Sequence, residues 1–173
     1  MNNFEYINIS GIIKESIVDG PGFRYTVFAQ GCPHHCEGCH NPATWNYTDD
    51  TKESIEKIAE EISANPMLKG VTFSGGEPFE QAISFANLAK LVKAAGRDVL
   101  CYTGYTFEEI CANLDKNNGY KELLENTDYL IDGKFILAEK SLMLKFRGSK
   151  NQRIIDVKKS MDGGEVIIAH FSD

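Results

Sequence analysis

Apolar positions along this chain switch repeatedly between the two-residue repeat of a strand and the three-to-four-residue repeat of a helix. Residues 23 to 29, Phe-Arg-Tyr-Thr-Val-Phe-Ala, predict a strand. Asp50 with Glu53 three residues on reads as a capping box, and Ile55, Ile58, Ala59 and Ile62 then mark one helix face. Gly70 to Ser74 predicts the next strand. Ala82, Phe85, Leu88, Ala89 and Val92 predict a second helix, stopped at Gly96. Asp98 to Thr103 gives a third strand, Thr106 with Glu109 a second capping box, and Tyr129 to Ile131 a fourth strand ending at Asp132. Short connections between such repeats imply a mainly parallel sheet. Beyond Phe135 the pattern is irregular until Arg153 to Val157 and Glu165 to Ala169, which read as a closing β-hairpin through Asp162-Gly163-Gly164. The expected architecture is α/β, an incomplete (β/α) barrel with its site at the carboxyl ends of the strands, because 173 residues are too few for eight complete units.

Composition narrows the class. A chain of this length is expected to form one domain spanning 1–173. Its apolar runs are too short for a bilayer, and the amino terminus lacks a charged-then-apolar leader, so a cytoplasmic protein without membrane contact is expected. Five cysteines, an odd number with three clustered, suit a reducing compartment. The net charge of −7 argues against general nucleic-acid binding. It is unevenly spread: from Lys134 to Lys159 eight lysines and arginines stand against Glu139 and Asp156, a local +6 that leaves −13 elsewhere. That stretch is either a solvated loop or a site for a carboxylate, a phosphate or an acidic partner.

The candidate chemistry lies in Gly31-Cys32-Pro33-His34-His35-Cys36-Glu37-Gly38-Cys39-His40. A disulfide would leave one of three thiols without a partner, whereas three thiolates from one loop can each bind a separate iron of an iron-sulfur cluster. The alternative is a structural zinc site with His34, His35 or His40 as the fourth ligand. A second motif, Thr72-Phe73-Ser74-Gly75-Gly76-Glu77-Pro78, reads as strand, tight turn and helix. Its glycines permit close backbone approach to a ligand, and its carboxylate can accept from an ammonium group.

Cys-x3-Cys-x2-Cys followed by Gly-Gly-Glu-Pro resembles the radical S-adenosylmethionine family, in both order and separation. Within it the chain is most similar to the activases of glycyl-radical proteins, in particular those serving anaerobic ribonucleoside-triphosphate reductase. The resemblance covers most of the chain: Asp19 to Arg24 before the cysteines, His40-Asn41-Pro42 with Trp45 after them, Tyr102 to Tyr105, Asp132 to Phe135, Phe146 to Ser149, and Asn151 to Arg153. It implies a radical S-adenosylmethionine barrel and a [4Fe-4S] cluster on Cys32, Cys36 and Cys39, whose fourth iron binds S-adenosylmethionine. It also implies that Ser74, Gly75, Gly76 and Glu77 face the methionine moiety and that Asp132 and Lys134 lie near the cosubstrate. Gly38 stands where many relatives carry an aromatic residue, so the adenine would rest on the backbone of Gly38, Cys39 and His40. A one-electron donor such as reduced flavodoxin would reduce the cluster. Cleavage of S-adenosylmethionine to methionine and a 5′-deoxyadenosyl radical would follow, and that radical would take a hydrogen atom from one glycine of the large reductase subunit. No catalytic acid or base is required of the protein.

Other residues carry weaker expectations. His34 and His35 read as solvated, His40 as structural, Cys101 as a buried core thiol and Cys111 as unreactive. Trp45 is a lid or ordinary packing, and Arg147, Lys150 and Arg153 are expected near the opening through which a partner enters. A pyruvate formate-lyase activase, a small-molecule enzyme resembling 7-carboxy-7-deazaguanine synthase, and a non-catalytic zinc-stabilised module are the alternatives. Anaerobically purified protein is expected to be brown, with about four irons and four sulfides per chain. A colourless preparation with one zinc per chain would select the zinc module.

Overall fold

A computed structural model describes residues 4–171. Its parallel centre is built from β2 (Phe23–Ala29), β4 (Leu68–Gly75), β5 (Asp98–Tyr102) and β6 (Tyr129–Asp132), which pair in that order. Antiparallel strands extend both sides: β1 (Tyr6–Ser16) pairs β2, β3 (Lys52–Ser54) pairs β1, and β7 (Arg153–Asp156) pairs β6. Among the described residues the result is one seven-stranded sheet, β3-β1-β2-β4-β5-β6-β7, with no pairing between β3 and β7 to close it. The helices are α1 (Ile55–Ala64), α2 (Ala82–Ala94), α3 (Phe107–Cys111), α4 (Tyr120–Glu125) and α5 (Val157–Gly163). None among the described residues is long and apolar enough to cross a membrane.

Strand alternation gives the sheet two different faces. Tyr25, Val27, Val71, Phe73, Val99, Cys101 and Leu130 point to the helices and pack on Ile58 and Ile62 of α1 and Phe85, Leu88, Ala89 and Val92 of α2. Phe73 and Phe85 meet edge to face at 4.7 Å. The opposite face carries Arg24, Thr26 and Phe28 of β2, Thr72 and Ser74 of β4, and Leu100 and Tyr102 of β5. Register places Thr26 beside Thr72, Thr72 beside Leu100, and Phe28 beside Ser74.

Arg24 organises the amino-terminal half of that face. Its guanidinium is fully buried and donates to Thr72 Oγ1 (2.7 Å), the Val71 carbonyl (2.7 Å), the Pro21 carbonyl (3.1 Å) and Asp98 Oδ1 (2.5 Å). The loop before β2 folds over it. Gly20 has φ +146°, and a Cβ there would lie 2.5 Å from Arg24 Cδ. The Asp19 carbonyl accepts from Thr72 Oγ1, and its carboxylate from Ser16 and Thr26.

Several expected elements are confirmed, and others are corrected. α2 ends as expected, with Gly96 at φ +79°, and Thr106 Oγ1 caps α3 through the Glu109 N–H (3.1 Å). Asp50 caps nothing: Ser54 does, accepting from the Lys57 N–H, because Lys52–Ser54 is drawn into the sheet against Tyr6–Asn8. Neither β1 nor α4 was anticipated. The expected hairpin is a strand, a helix and a single bridge. Asp156 caps α5 through the Lys159 N–H (3.0 Å), Gly164 closes it at φ +73°, and the return leg meets β7 in one bridge, Ile155 with Ile168, flanked by the Asp156 N–H on the Ile167 carbonyl and the Ala169 N–H on the Ile154 carbonyl. Buried Val157 and Ser160, with the Ser160 hydroxyl accepting from the Ile167 N–H, hold that helical connection.

Removal of Asp98 leaves the Arg24 cation without its anionic partner. Asp98→Ala is expected to destabilise the protein by about 3 kcal/mol, read as a lower urea midpoint under anaerobic conditions.

Candidate active site

The carboxyl ends of β2, β4, β5 and β6 surround a cavity of about 710 Å³, within the usual range for a small-molecule site. Each strand delivers a loop to it. From β2 comes the cysteine loop, whose base is closed by the Gly31 N–H on the Thr44 carbonyl (2.7 Å) and the Cys32 N–H on the Trp45 carbonyl (3.2 Å). Inside it, the Cys39 N–H reaches the Cys36 carbonyl (3.1 Å), and the Asn41 N–H lies 3.4 Å from Cys39 Sγ. Cys32, Cys36 and Cys39 all line the cavity, Cys32 buried and the other two half-buried. Burial pushes the Cys32 thiol up, opposed by N–H groups of His34 and His35 on its sulfur.

No three His, Cys, Asp or Glu side chains among the described residues converge as a single metal ion would require. The histidines are engaged elsewhere. His34 Nε2 lies 2.6 Å from Glu77 Oε1, His35 stacks on Trp45 at 4.6 Å, and His40 leans on Phe135 at 5.3 Å. His34 is therefore not the solvated residue expected. His35 is exposed, and Trp45 both stacks on it and lines the cavity. Three thiols from one loop facing one cavity, with His34 held by Glu77 and His40 against Phe135, suit an iron-sulfur cluster.

The Gly-Gly-Glu-Pro turn packs closely against the start of the cysteine loop. A Cβ on Gly75 would lie 2.7 Å from the Ala29 nitrogen, and one on Gly76 2.4 Å from the Gly31 carbonyl oxygen. The missing side chains therefore make room for the protein's own backbone. The Gly76 N–H donates to the Ala29 carbonyl and the Glu77 N–H to the Gly31 carbonyl, each at 2.8 Å. The Glu77 side chain is fully buried and does not line the cavity. Its carboxylate accepts from the Phe79 N–H (3.0 Å), Thr103 Oγ1 (2.9 Å), the Gly104 N–H (2.8 Å) and His34. In this structure the carboxylate expected to face a ligand is hydrogen-bonded by donors of the protein itself. Ser74, Gly75 and Gly76 do line the cavity.

From β6, Lys134 lines the cavity with Gly133 and Phe135, whereas Asp132 is buried behind it. Asp132 accepts from the Phe107 N–H (2.8 Å) and from Arg153 Nε and Nη2 (3.1 and 2.5 Å), so it anchors β7 and α3 and does not face the cavity. Arg153 also donates to both Glu108 oxygens, which lowers the pKa of that carboxyl, while Asp132 first and Glu108 second raise that of the guanidinium. Arg153 is thus an ion-paired strut that also lines a neighbouring cavity. Cys39 and His40 line the cavity, while Gly38, at φ +76°, packs where a Cβ would meet Leu137 at 2.9 Å. Cys101 is a fully buried thiol, its pKa raised by desolvation, and Cys111 is raised for the same reason. Sequence reasoning did not single out Phe28, Tyr102 or Gln152 as cavity residues, whereas Arg147, expected near the opening, does line the cavity. For Phe28 and Tyr102 the signal was strand parity: both share the face of Thr26 and Thr72.

The cysteine loop, its open cavity and the strand ends behind it define an iron-sulfur domain. Residues 18–155 match the family model described as a 4Fe-4S single cluster domain. The chain is 36% identical over 157 residues to the anaerobic ribonucleoside-triphosphate reductase-activating protein of Enterobacteria phage T4, covering 86% of this chain and 93% of that protein. It is 35% identical to the protein of the same name from Vibrio cholerae, covering 89% and 97%, and 32% identical to that of Escherichia coli K12, covering 79% and 90%. The chain belongs to the family of anaerobic ribonucleoside-triphosphate reductase-activating proteins.

Replacement of one Glu77 oxygen by an amide sets that amide against the buried donors of His34, Thr103 and Gly104. Glu77→Gln is expected to cost about 2 kcal/mol of stability. Cluster occupancy should fall with it, measured as iron and sulfide per chain after anaerobic reconstitution, whereas loss of a mere ligand contact would leave both unchanged.

Proposed function

We propose that this chain activates an anaerobic ribonucleoside-triphosphate reductase by generating a glycyl radical on its large subunit. The observation that carries the reading is the meeting of three thiols and the Ser74-Gly75-Gly76 turn on one cavity. It is joined by near-complete coverage of relatives whose names state that activity. The parallel β2-β4-β5-β6 centre is read as the incomplete barrel of the radical S-adenosylmethionine type, acting as one catalytic unit in a reducing cytoplasm.

When bound, a [4Fe-4S] cluster and S-adenosylmethionine supply one-electron cleavage to methionine and a 5′-deoxyadenosyl radical able to take an α-hydrogen from glycine. Cys32, Cys36 and Cys39 hold the cluster as thiolates, and metal loading releases the protons that burial favours on Cys32. The exposed edges of Ser74, Gly75 and Gly76 position the methionine moiety, and Lys134 offers a cation to its carboxylate. The backbone of Cys39 and His40 lies beside the adenine. Phe28, Tyr102 and Phe135 give the cavity apolar walls that limit water around the reacting atoms. No side chain is needed as a general base. Electrons come from reduced flavodoxin or a donor of similar potential.

The test is formation of 5′-deoxyadenosine by reconstituted protein given dithionite and S-adenosylmethionine, followed by electron paramagnetic resonance of the added reductase. The wild type is expected to give both the nucleoside and a glycyl doublet, and Cys36→Ala neither. Cleavage without any radical on the reductase would overturn the assignment of the partner. Absence of cleavage in fully loaded protein, with or without the reductase, would overturn the chemistry.

A further inference from the structure

Among the described residues three buried side-chain nitrogen or oxygen atoms have no hydrogen-bond partner: Asn8 Oδ1, Trp45 Nε1 and Arg147 Nε. Asn8 borders a different cavity, whereas Trp45 and Arg147 both line the cluster cavity, and the unpaired atom of each is a donor. A buried N–H without an acceptor forfeits the hydrogen bond it made to water in the unfolded chain, so native structures rarely leave one. Arg147 has another outlet, since its Nη1 donates to the Gln152 carbonyl at 3.0 Å. The indole of Trp45 has one donor and no other polar atom, so its whole polar capacity is unused. Two unpaired donors on one cavity point to an occupant rich in acceptors.

Trp45 is fastened to the thiol loop at two points. Its carbonyl accepts from the Cys32 N–H (3.2 Å), and its ring stacks on His35 at 4.6 Å with 12° between the planes. His35 lies between Cys32 and Cys36 and has φ +48°, a left-handed backbone that a residue with a side chain adopts at a cost. We propose that Trp45 donates its Nε1 hydrogen to a sulfur of the iron-sulfur cluster and thereby sets how readily that cluster is reduced. The inference rests on the cluster placement in the function proposed above and adds a residue that tunes it. A protonated thiol is a weak acceptor, whereas a metal-bound thiolate or a sulfide carries negative charge that strengthens the bond. Reduction adds one electron and spreads more negative charge over the sulfurs, so a donor on one of them favours the reduced state. The cosubstrate carboxylate is the other acceptor placed in this cavity. It is served by Lys134 on the loop after β6, while Trp45 is tied to Cys32 and His35.

The experiment uses the full chain after anaerobic reconstitution. Trp45 is the single tryptophan, so growth on tryptophan carrying a heavy-nitrogen isotope in its indole labels one ring nitrogen of the protein. Electron–nuclear double resonance of the dithionite-reduced cluster, without S-adenosylmethionine, is expected to show coupling to that nitrogen. It should also show an exchangeable proton that is lost in deuterium oxide and missing from Trp45→Phe. Phenylalanine keeps a ring to stack on His35 and removes the N–H. In that variant, at wild-type iron and sulfide per chain, the cluster is expected to be about tenfold harder to reduce, a midpoint about 59 mV lower in an anaerobic redox titration. Should the variant load poorly, the labelled wild type decides alone. Absence of the nitrogen coupling, or its appearance only after S-adenosylmethionine is added, would overturn the contact. An unchanged midpoint in fully loaded Trp45→Phe would overturn the tuning. Either result leaves the proposed function intact, whereas wild-type protein that takes up no iron and sulfide would remove both.

Discussion

Much of this site depends on one buried carboxylate. Glu77 joins the turn after β4, the loop after β5 and the cysteine loop after β2, through donors supplied by Phe79, Thr103, Gly104 and His34. A carboxylate buried without such donors would cost several kcal/mol, on the order of the net stability of a domain, so each of these loops is constrained to bring its donor to one point. The cysteines inherit that constraint. Two residues after Cys32, His34 is held by the same carboxylate, and the carbonyls of Ala29 and Gly31 accept from the N–H groups of Gly76 and Glu77.

A similar economy of polar groups operates at the amino ends of the strands. Arg24 and Asp19 satisfy Thr26, Thr72 and the carbonyls of Pro21 and Val71 on the face opposite the apolar core. The helix-covered face supplies the apolar burial, with Phe73, Phe85, Leu88 and Val99 at its centre. The other face can therefore remain polar near its base and open at its carboxyl end. That division is what allows a cavity of about 710 Å³ in so short a chain. Among the described residues the edge strands β3 and β7 do not pair, so the sheet is not closed into a barrel.

The parallel strands were legible because each is a short apolar run bounded by glycine or a capping residue. α2 was legible because its apolar face repeats over three turns and stops at Gly96. β1 was not, since an edge-proximal antiparallel strand with mixed exposure carries Asn8, Ser10, Lys14 and Glu15 among its apolar residues. The carboxyl-terminal hairpin misled for a related reason. Two β-like runs do lie side by side at Ile155 and Ile168, but Asp156, Ser160 and Gly164 make the connection a capped helix. The cysteines were visible as candidate ligands from their spacing alone.

By itself the sequence determined which atoms could bind a cluster and roughly where the strands would run, because thiol spacing and hydrophobic period are local properties. Only the tertiary structure decided what the charged residues do. Glu77, Asp132 and Arg153 look like site residues in the sequence, yet each is spent on donors or acceptors 21 to 45 positions away, apart from the Phe79 N–H. A charged side chain has the same formula whether it meets a ligand or holds the protein together. Which of the two it does is set by the partners that long-range folding brings within hydrogen-bond distance.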